Sequence, residues 1–193
     1  MRMHHSSTST SATKHILLAD YDYAGMDALP AVNEMTVLGN GYFIVRDPIT
    51  NERYATQSGH FSLDCDGYLI TDLGGRVQGR TYGAHSPVGD LQINAAGLAS
   101  PSCPKATMMC YSIDERGKII VYLTDGTSFL RGQVMLQNFS DPEALVHEGE
   151  QLYSNLSAAG PLPALAAPRS NGLGAIQWGF VELAHAGSPI WNN

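Results

Sequence analysis

The sequence predicts an all-β fold, mainly a twisted, partly closed β-barrel or sandwich of hairpin meanders with one short helix. Three observations lead to this prediction. The 193 residues include 20 glycines and 10 prolines, which favours many short strands and turns over long helices. Runs of aromatic and β-branched residues fit a pleated, half-buried surface. Asp-Gly pairs between these runs are typical of tight hairpins.

The chain divides into three parts by composition. Residues 1–30 are expected to be a disordered or irregular lead-in, since the Ser-, Thr- and His-rich start lacks the apolar core of a secretory signal. Residues 31–183 are expected to form a single β-rich domain, and residues 184–193 a C-terminal tail. His4 and His5 are interpreted as part of a solvated tail and not as a metal site.

The first meander is predicted within residues 32–80. Phe61, Leu63 and Cys65 alternate with polar residues, which is the period of a strand with one solvated face. Asp66 and Gly67 are expected to supply the positive φ values of a tight hairpin. The predicted strands are Val32–Leu38, Tyr42–Val45, Phe61–Cys65, Tyr68–Ile70 and a short strand that starts at Val77.

A second meander is predicted in the middle of the chain. Its central strand is the apolar run Lys118–Leu123, and residues 114–117 form the hairpin loop before it. The other predicted strands are Val88–Ile93, Met108–Ile113, Phe129–Leu130 and Val134–Phe139.

One short helix is predicted over residues 141–148. Ser140 can cap it, Pro142 is tolerated in its first turn and Glu143 completes a capping box. Gly149 is expected to end it. Residues 157–170 then read as an extended crossing that leads to a closing strand within residues 171–183.

Three consecutive segments resemble the flagellar hook and basal-body rod protein family. They are the strand Gly39-Asn-Gly-Tyr-Phe-Ile-Val45, the hairpin from Tyr54 through Gly59, Phe61, Asp64 and Gly67 to Leu69, and the strand end Gly75-Arg-Val-Gln-Gly79. The segment with Phe139, Pro142, Leu145, Gly149 and Tyr153 and the closing segment up to Glu182 are similar to the family as well. The resemblance covers residues 31–183.

The resemblance implies a structural component of the bacterial flagellar rod or hook. Its partners would be other rod or hook subunits or copies of itself, and its location the extracytoplasmic basal body or hook, reached without a cleaved signal peptide. The sequence departs from the family at Gln57 and His60, and it lacks the family's paired terminal helices. We expect an isolated globular domain of a larger protein or a diverged paralogue; rod and hook both stay open.

The charge balance bears on the class of partner. Eleven basic and 18 acidic residues give a formal net charge of −7. Nucleic acid and anionic membrane surfaces would repel such a chain, so neither is expected as the main partner. No apolar stretch reaches the length of a membrane span, and membrane insertion is not expected.

No residue set points to catalysis, a cofactor or a metal. Asp64-Cys65-Asp66-Gly67 is similar to the start of a calcium loop, but the twelfth position is Gly75 where a bidentate Glu is required, so a hairpin turn is preferred. The seven histidines are scattered, and no Gly-x-Ser-x-Gly elbow is present. His60 is expected to be a surface or cross-strand residue. We therefore predict no catalytic, cofactor-binding or metal-binding residues.

The cysteines and large aromatic residues leave alternatives open. Cys65, Cys103 and Cys110 are interpreted as buried or half-buried thiols, although the spacing also permits a Cys103–Cys110 bridge. Trp178 is expected in the core, and Trp178 and Trp191 are alternative interface anchors. The alternative function is a stand-alone β-rich binding module for carbohydrate or a cell-surface partner. Its platform would come from Tyr21, Tyr23, Tyr82 and Tyr111.

Overall fold

The computed structural model describes residues 33–82, 87–93 and 106–180, all within one compact unit of residues 31–193. The described residues are mainly β, which confirms the predicted all-β class. The strands are β1 (Asn33–Leu38), β2 (Tyr42–Arg46), β3 (Arg53–Thr56), β4 (Ser58–Leu63), β5 (Leu69–Thr71), β6 (Arg76–Thr81), β7 (Val88–Asp90), β8 (Met108–Ile113), β9 (Lys118–Leu123), β10 (Ser128–Val134), β11 (Leu136–Gln137), β12 (Val146–Gly149), β13 (Leu152–Ser154) and β14 (Ala175–Phe180).

These strands form one sheet that does not close. Its main path runs β12–β13–β3–β2–β6–β5–β4–β1–β14, and the second meander β8–β9–β10 attaches to β6. β6 is therefore the junction of the molecule, since it pairs with β2, β5, β7 and β10. The closing strand β14 pairs with β1 along its whole length, from Asn33↔Phe180 to Leu38↔Ala175. No helix of the described part is long and apolar enough to cross a membrane.

The sheet encloses one main core to which both meanders contribute. Phe43 and Phe61 of the first meander are fully buried, and their ring centroids lie 5.2 Å apart in an edge-to-face arrangement. Val121 and Val134 of the second meander join the same cluster. Burial of a side chain of this size contributes about 1.5–3 kcal/mol, so the shared core holds the two meanders together.

Two hairpin turns repeat one design of an Asp followed three residues later by a Gly. In the first, Oδ1 of Asp64 accepts hydrogen bonds from the amides of Asp66 and Tyr68, and Gly67 has φ 80°. In the second, Asp114 and Gly117 (φ 75°) do the same between β8 and β9. The positive φ predicted for Gly67 is confirmed, whereas the one predicted for Asp66 is wrong, because the turn needs only its last residue in that region.

The predicted helix over residues 141–148 is wrong. Only a 3₁₀ turn, Pro142–Ala144, forms there, and Leu145 is already extended. Ser140 does not cap it, since its hydroxyl donates to the carbonyl of Gly160 at 3.2 Å. Val146 then enters β12, which pairs with β13. Cross-strand pairing therefore outcompetes the capping pattern, and no local sequence signal predicted the β12–β13 hairpin.

Three smaller predictions differ from the structure. The strand predicted over Phe61–Cys65 ends at Leu63, and Cys65 lies exposed in the turn, so its predicted burial is wrong. The predicted strands Phe129–Leu130 and Val134–Phe139 have other bounds, because β10 runs to Val134 with a bulge between Leu130 and Gly132, and Leu136–Gln137 form the separate strand β11, which pairs with β2. The predictions for residues 1–30 and 184–193, for Cys103 and for Trp191 lie outside the described residues.

Gly79 of β6 lies where the two meanders meet. A Cβ there would lie 2.6 Å from Cδ1 of the buried Leu91 and would also clash with the carbonyl oxygen of Gln133 on β10. Its cross-strand neighbour Gly89 on β7 has no atom within 4 Å of the same position. The close approach of β6, β10 and Leu91 therefore requires a residue without a side chain at position 79.

Gly79→Ala is expected to lower the free energy of unfolding by about 2 kcal/mol, the cost of overpacking a fixed core. Gly89→Ala is the matched control and is expected to leave it nearly unchanged. Urea unfolding followed by circular dichroism measures both. Equal effects of the two substitutions would contradict the packing described at the junction.

Candidate assembly surface

The outward side of the second meander and of β6 and β7 forms one continuous surface, called here the outer sheet face. Register places its side chains in three cross-strand rows, because directly opposed residues of antiparallel strands point to the same side. The rows are Lys118–Gln133–Arg80–Val88, Ser112–Ile120–Leu130 and Cys110–Tyr122–Ser128. The opposite side of these strands carries the buried Ile119, Val121 and Val134.

The outer sheet face is cationic. Arg80 and Lys118 are exposed in the first row, and neither forms an ion pair with any of the described residues. Arg116 is exposed in the adjoining turn. The nearby Arg131 is not available in the same way, because its Nε donates to the carbonyl of Gln92 at 3.0 Å and burial lowers its pKa.

The same face exposes apolar side chains. Val88 is 36% exposed and Leu130 is 39% exposed, with half-buried Ile120 and Tyr122 in the neighbouring positions of the rows. Such a strip next to fixed positive charges is typical of a protein interaction surface, since exposed apolar area gains from being covered.

A second surface has the opposite charge. It is the acidic hairpin, residues 141–154, which comprises the 3₁₀ turn and β12–β13. Asp141, Glu143, Glu148 and Glu150 are all exposed, and no Lys or Arg occurs between residues 138 and 168. Val146, which is 49% exposed, lies among these carboxylates. β12 is the last strand of the main sheet path.

Side-chain contacts orient the acidic hairpin. The Tyr153 ring lies edge-to-face with Tyr42 at 6.0 Å and with His147 at 5.3 Å, so this side of the hairpin packs on the body. At the turn, the hydroxyl of Ser58 donates to Oε1 of Gln151. Val146 is opposite Ser154, whose hydroxyl donates to Oε1 of Glu148, so Val146 and Glu148 lie on the other side, and both are exposed.

A polar cluster fixes β2, β6 and β7 on the outward side. Arg46 forms a two-pronged ion pair with Asp90, whose Oδ1 lies 2.9 Å from Nε of Arg46. The same carboxylate accepts from Nε2 of Gln78 at 2.7 Å and from Nη1 of Arg76 at 3.4 Å. The Arg76 guanidinium also lies 3.8 Å from the ring centroid of Tyr68.

The protonation of Asp90 reflects this environment. Burial would by itself raise the pKa of the Asp90 carboxyl, but the hydrogen bonds from Arg46 and Gln78 outweigh it and hold that pKa below its ordinary value of 3.8. The same pair raises the pKa of the Arg46 guanidinium. The cluster is thus charged and paired at neutral pH, and its role is to hold three strands in register.

The histidines of the described residues form no hydrogen bond with a nucleophilic side chain. His60 lines a cavity of about 270 Å³ together with Ser58 and Asp72, the residue types of a hydrolytic triad. However, the Ser58 hydroxyl donates to Gln151, and no hydrogen bond joins His60 to Ser58 or Asp72. His60 is exposed on β4, as expected of a surface residue. The prediction that the chain has no catalytic, cofactor or metal residues stays a prediction.

The other singled-out residues fall in different places. Tyr111 is only 9% exposed and belongs to the core, so it cannot join an exposed aromatic platform with Tyr82, which is 42% exposed. Tyr21 and Tyr23 lie outside the described residues. Trp178 is in register with Met35, whereas its side chain lies outside the description. Cys110 is half-buried as predicted, and burial raises the pKa of its thiol.

Sequence reasoning missed the charged residues of both surfaces. Arg76, Gln78 and Arg80 stand two apart, so the alternation that places Val77 in the core also places them on the outer side. The long absence of Lys and Arg around the acidic hairpin was equally visible in the sequence. The sequence alone could not identify the strands that pair with β6, because β6 pairs with residues far away in the chain.

Comparisons with known proteins point to one family. Residues 36–121 match a family model described as the flagellar hook protein FlgE/F/G D1 domain. The chain is also 26% identical over 167 residues to the flagellar basal-body rod protein FlgG of Buchnera aphidicola subsp. Baizongia pistaciae, which covers 86% of the chain and 55% of the relative.

Two further relatives carry the same name. FlgG of Bacillus subtilis is 26% identical, with 79% of the chain and 50% of the relative covered. FlgG of Buchnera aphidicola subsp. Acyrthosiphon pisum is 29% identical, with 80% of the chain and 51% of the relative covered. The chain thus spans about half the length of these curated relatives.

Asp90→Asn is expected to lower the free energy of unfolding at pH 7 by about 2 kcal/mol, the typical worth of a partly buried charged hydrogen-bonded group. Because the folded-state pKa of Asp90 lies below 3.8, its stabilisation is complete above that value and disappears as the pH falls through the lowered pKa. The variant and the parent should therefore converge in acid.

Urea unfolding at a series of pH values checks this prediction. Asp72→Asn is the control, because Asp72 is exposed and has no ion pair within the described residues. A loss that is equal for both variants, or that is independent of pH, would show that Asp90 does not stabilise the fold through its charge.

Proposed function

Because the chain belongs to the flagellar hook and basal-body rod protein family, we propose that it is a structural subunit of the bacterial flagellar rod or hook. It acts by repeated contacts with copies of itself or with related subunits and performs no reaction. The observation that carries this proposal is the D1-domain match over residues 36–121, which extends from β1 into β9 and so includes parts of both meanders.

The fold is suited to this role. β6 and the shared core join the two meanders, and the Asp90 cluster adds ion pairs across β2, β6 and β7. A subunit of this kind keeps its outward surfaces in fixed positions. Contacts that use different surfaces on the two partners repeat along an axis and build a tube when they do not close into a ring.

The relatives favour the rod over the hook. Each of those compared is named a basal-body rod protein. We accordingly place the protein in the extracytoplasmic part of the flagellum, in or next to the rod, with export that does not use a cleaved signal peptide. Its partners are rod or hook subunits, and the acidic net charge of −7 argues against nucleic acid.

The binding-module alternative loses Tyr111, one of the four tyrosines of its platform, whereas Tyr82 is exposed and Tyr21 and Tyr23 lie outside the described residues. It needed an exposed aromatic platform, and Tyr111 is part of the core. The cavity around His60 supports no enzymatic reading either, because the Ser58 hydroxyl is engaged with Gln151. Assembly is the function that uses the features present, namely rigid strands and two large charged surfaces.

Isolation of hook–basal bodies from the source cells tests the proposal. A tagged copy of the full chain, expressed from its own locus, is expected to co-purify with the hook–basal bodies and to stay with them after a high-salt wash. A periplasmic protein with the same tag is the control. Recovery of the tagged chain only in the fractions that contain the control would overturn the proposal.

A further inference from the structure

The outer sheet face and the acidic hairpin are complementary in charge. The face exposes Arg80 and Lys118 and carries no carboxylate in its three rows. The adjoining turn exposes both Arg116 and Glu115, and that Glu115 forms an ion pair with Arg169. The hairpin exposes four carboxylates and, over residues 138–168, no Lys or Arg. Surfaces of opposite sign steer association and fix which surfaces meet, whereas like charges in contact are costly.

The two surfaces also match in their apolar centres. Val146 is 49% exposed and points outward beside Glu148. On the face, Leu130 and Val88 are exposed next to Lys118 and Arg80. Covering an apolar side chain on each partner supplies a favourable contact that individual exposed ion pairs do not supply by themselves.

We propose that the outer sheet face of one copy receives the acidic hairpin of a second copy of this chain, an inference that rests on the proposed function. Val146 packs against Leu130, and Glu143 and Glu148 face Lys118 and Arg80. The occupant is a second copy because the chain itself carries both complementary surfaces.

The topology makes this contact heterologous. The strand order β12–β13–β3–β2–β6–β10–β9–β8 places the hairpin at one end and the face at the other. After the first contact, the copy that supplied its outer sheet face therefore still has an unused acidic hairpin, and the other copy still has an unused outer sheet face. Head-to-tail repetition of this kind produces an open series of subunits when the rotation between copies does not close into a ring, and an open series is the geometry that a rod requires.

Cysteine cross-linking of the full chain tests the contact. In a background in which Cys65, Cys103 and Cys110 are replaced by Ser, one protein carries Leu130→Cys and the other Val146→Cys. Mixing them under mild oxidation is expected to give a heterodimer in severalfold higher yield than the matched control pair of Leu73→Cys with Val146→Cys. Leu73 is the control because it is 59% exposed and lies outside the outer sheet face.

Charge reversal then separates this contact from chance encounters. Arg80→Glu with Lys118→Glu on the Leu130→Cys protein is expected to reduce the yield to the control level. Glu143→Lys with Glu148→Lys on the Val146→Cys protein is expected to restore it, which also shows that both reversed proteins are folded. The exposed Arg53→Glu and Glu34→Lys reversals, outside both surfaces, should change nothing.

The results distinguish a failure of the proposed contact from a failure of the proposed function. A yield that never exceeds the control pair, or a loss that the second reversal does not restore, overturns the proposed contact. If the chain still co-purifies with hook–basal bodies in that case, the proposed function stands and another surface carries assembly. Loss and restoration as described support the contact.

Discussion

The packing of Leu91 against the bare backbone of Gly79 determines how closely β6, β7 and β10 can lie. Through this point the second meander joins the first, because β10 has no other pairing with the main sheet path. The shared core of Phe43, Phe61 and Val121 follows from it. One residue without a side chain thus allows two hairpin systems to behave as a single rigid body.

That rigidity has a consequence for the outer surface. β6 alternates between core residues and polar residues on the other side, so the strand that joins the meanders also carries the half-buried Arg76, the buried Gln78 and the exposed Arg80. Arg76 and Gln78 are used internally, because Asp90 binds both together with Arg46. Arg80, two residues further along, has no such carboxylate among the described residues and faces outward. Arg76 and Gln78 thus stabilise the fold through Asp90, whereas Arg80 faces outward.

Much of the fold could be predicted from the sequence because its signals are local. Runs of aromatic, β-branched and apolar residues located β2 and β9, period-two alternation located β4, and the Asp66-Gly67 pair and residues 114–117 located two hairpin turns. Prediction failed where a distant partner decides. The capping pattern at Ser140 favoured a helix, but pairing of β12 with β13, and of β13 with β3, made a hairpin. The outer sheet face was missed for the same reason, since register across strands assembles it.

Both meanders form one cooperative unit joined at β6, and a fixed assembly surface depends on this unit. Native-state hydrogen exchange of the full chain tests it most directly. We expect core amides of β2, β6 and β9 to exchange only through a common opening, with the same free energy of opening. Exchange of the β8–β10 amides through a separate opening of lower free energy, with β2 and β6 still protected, would contradict it.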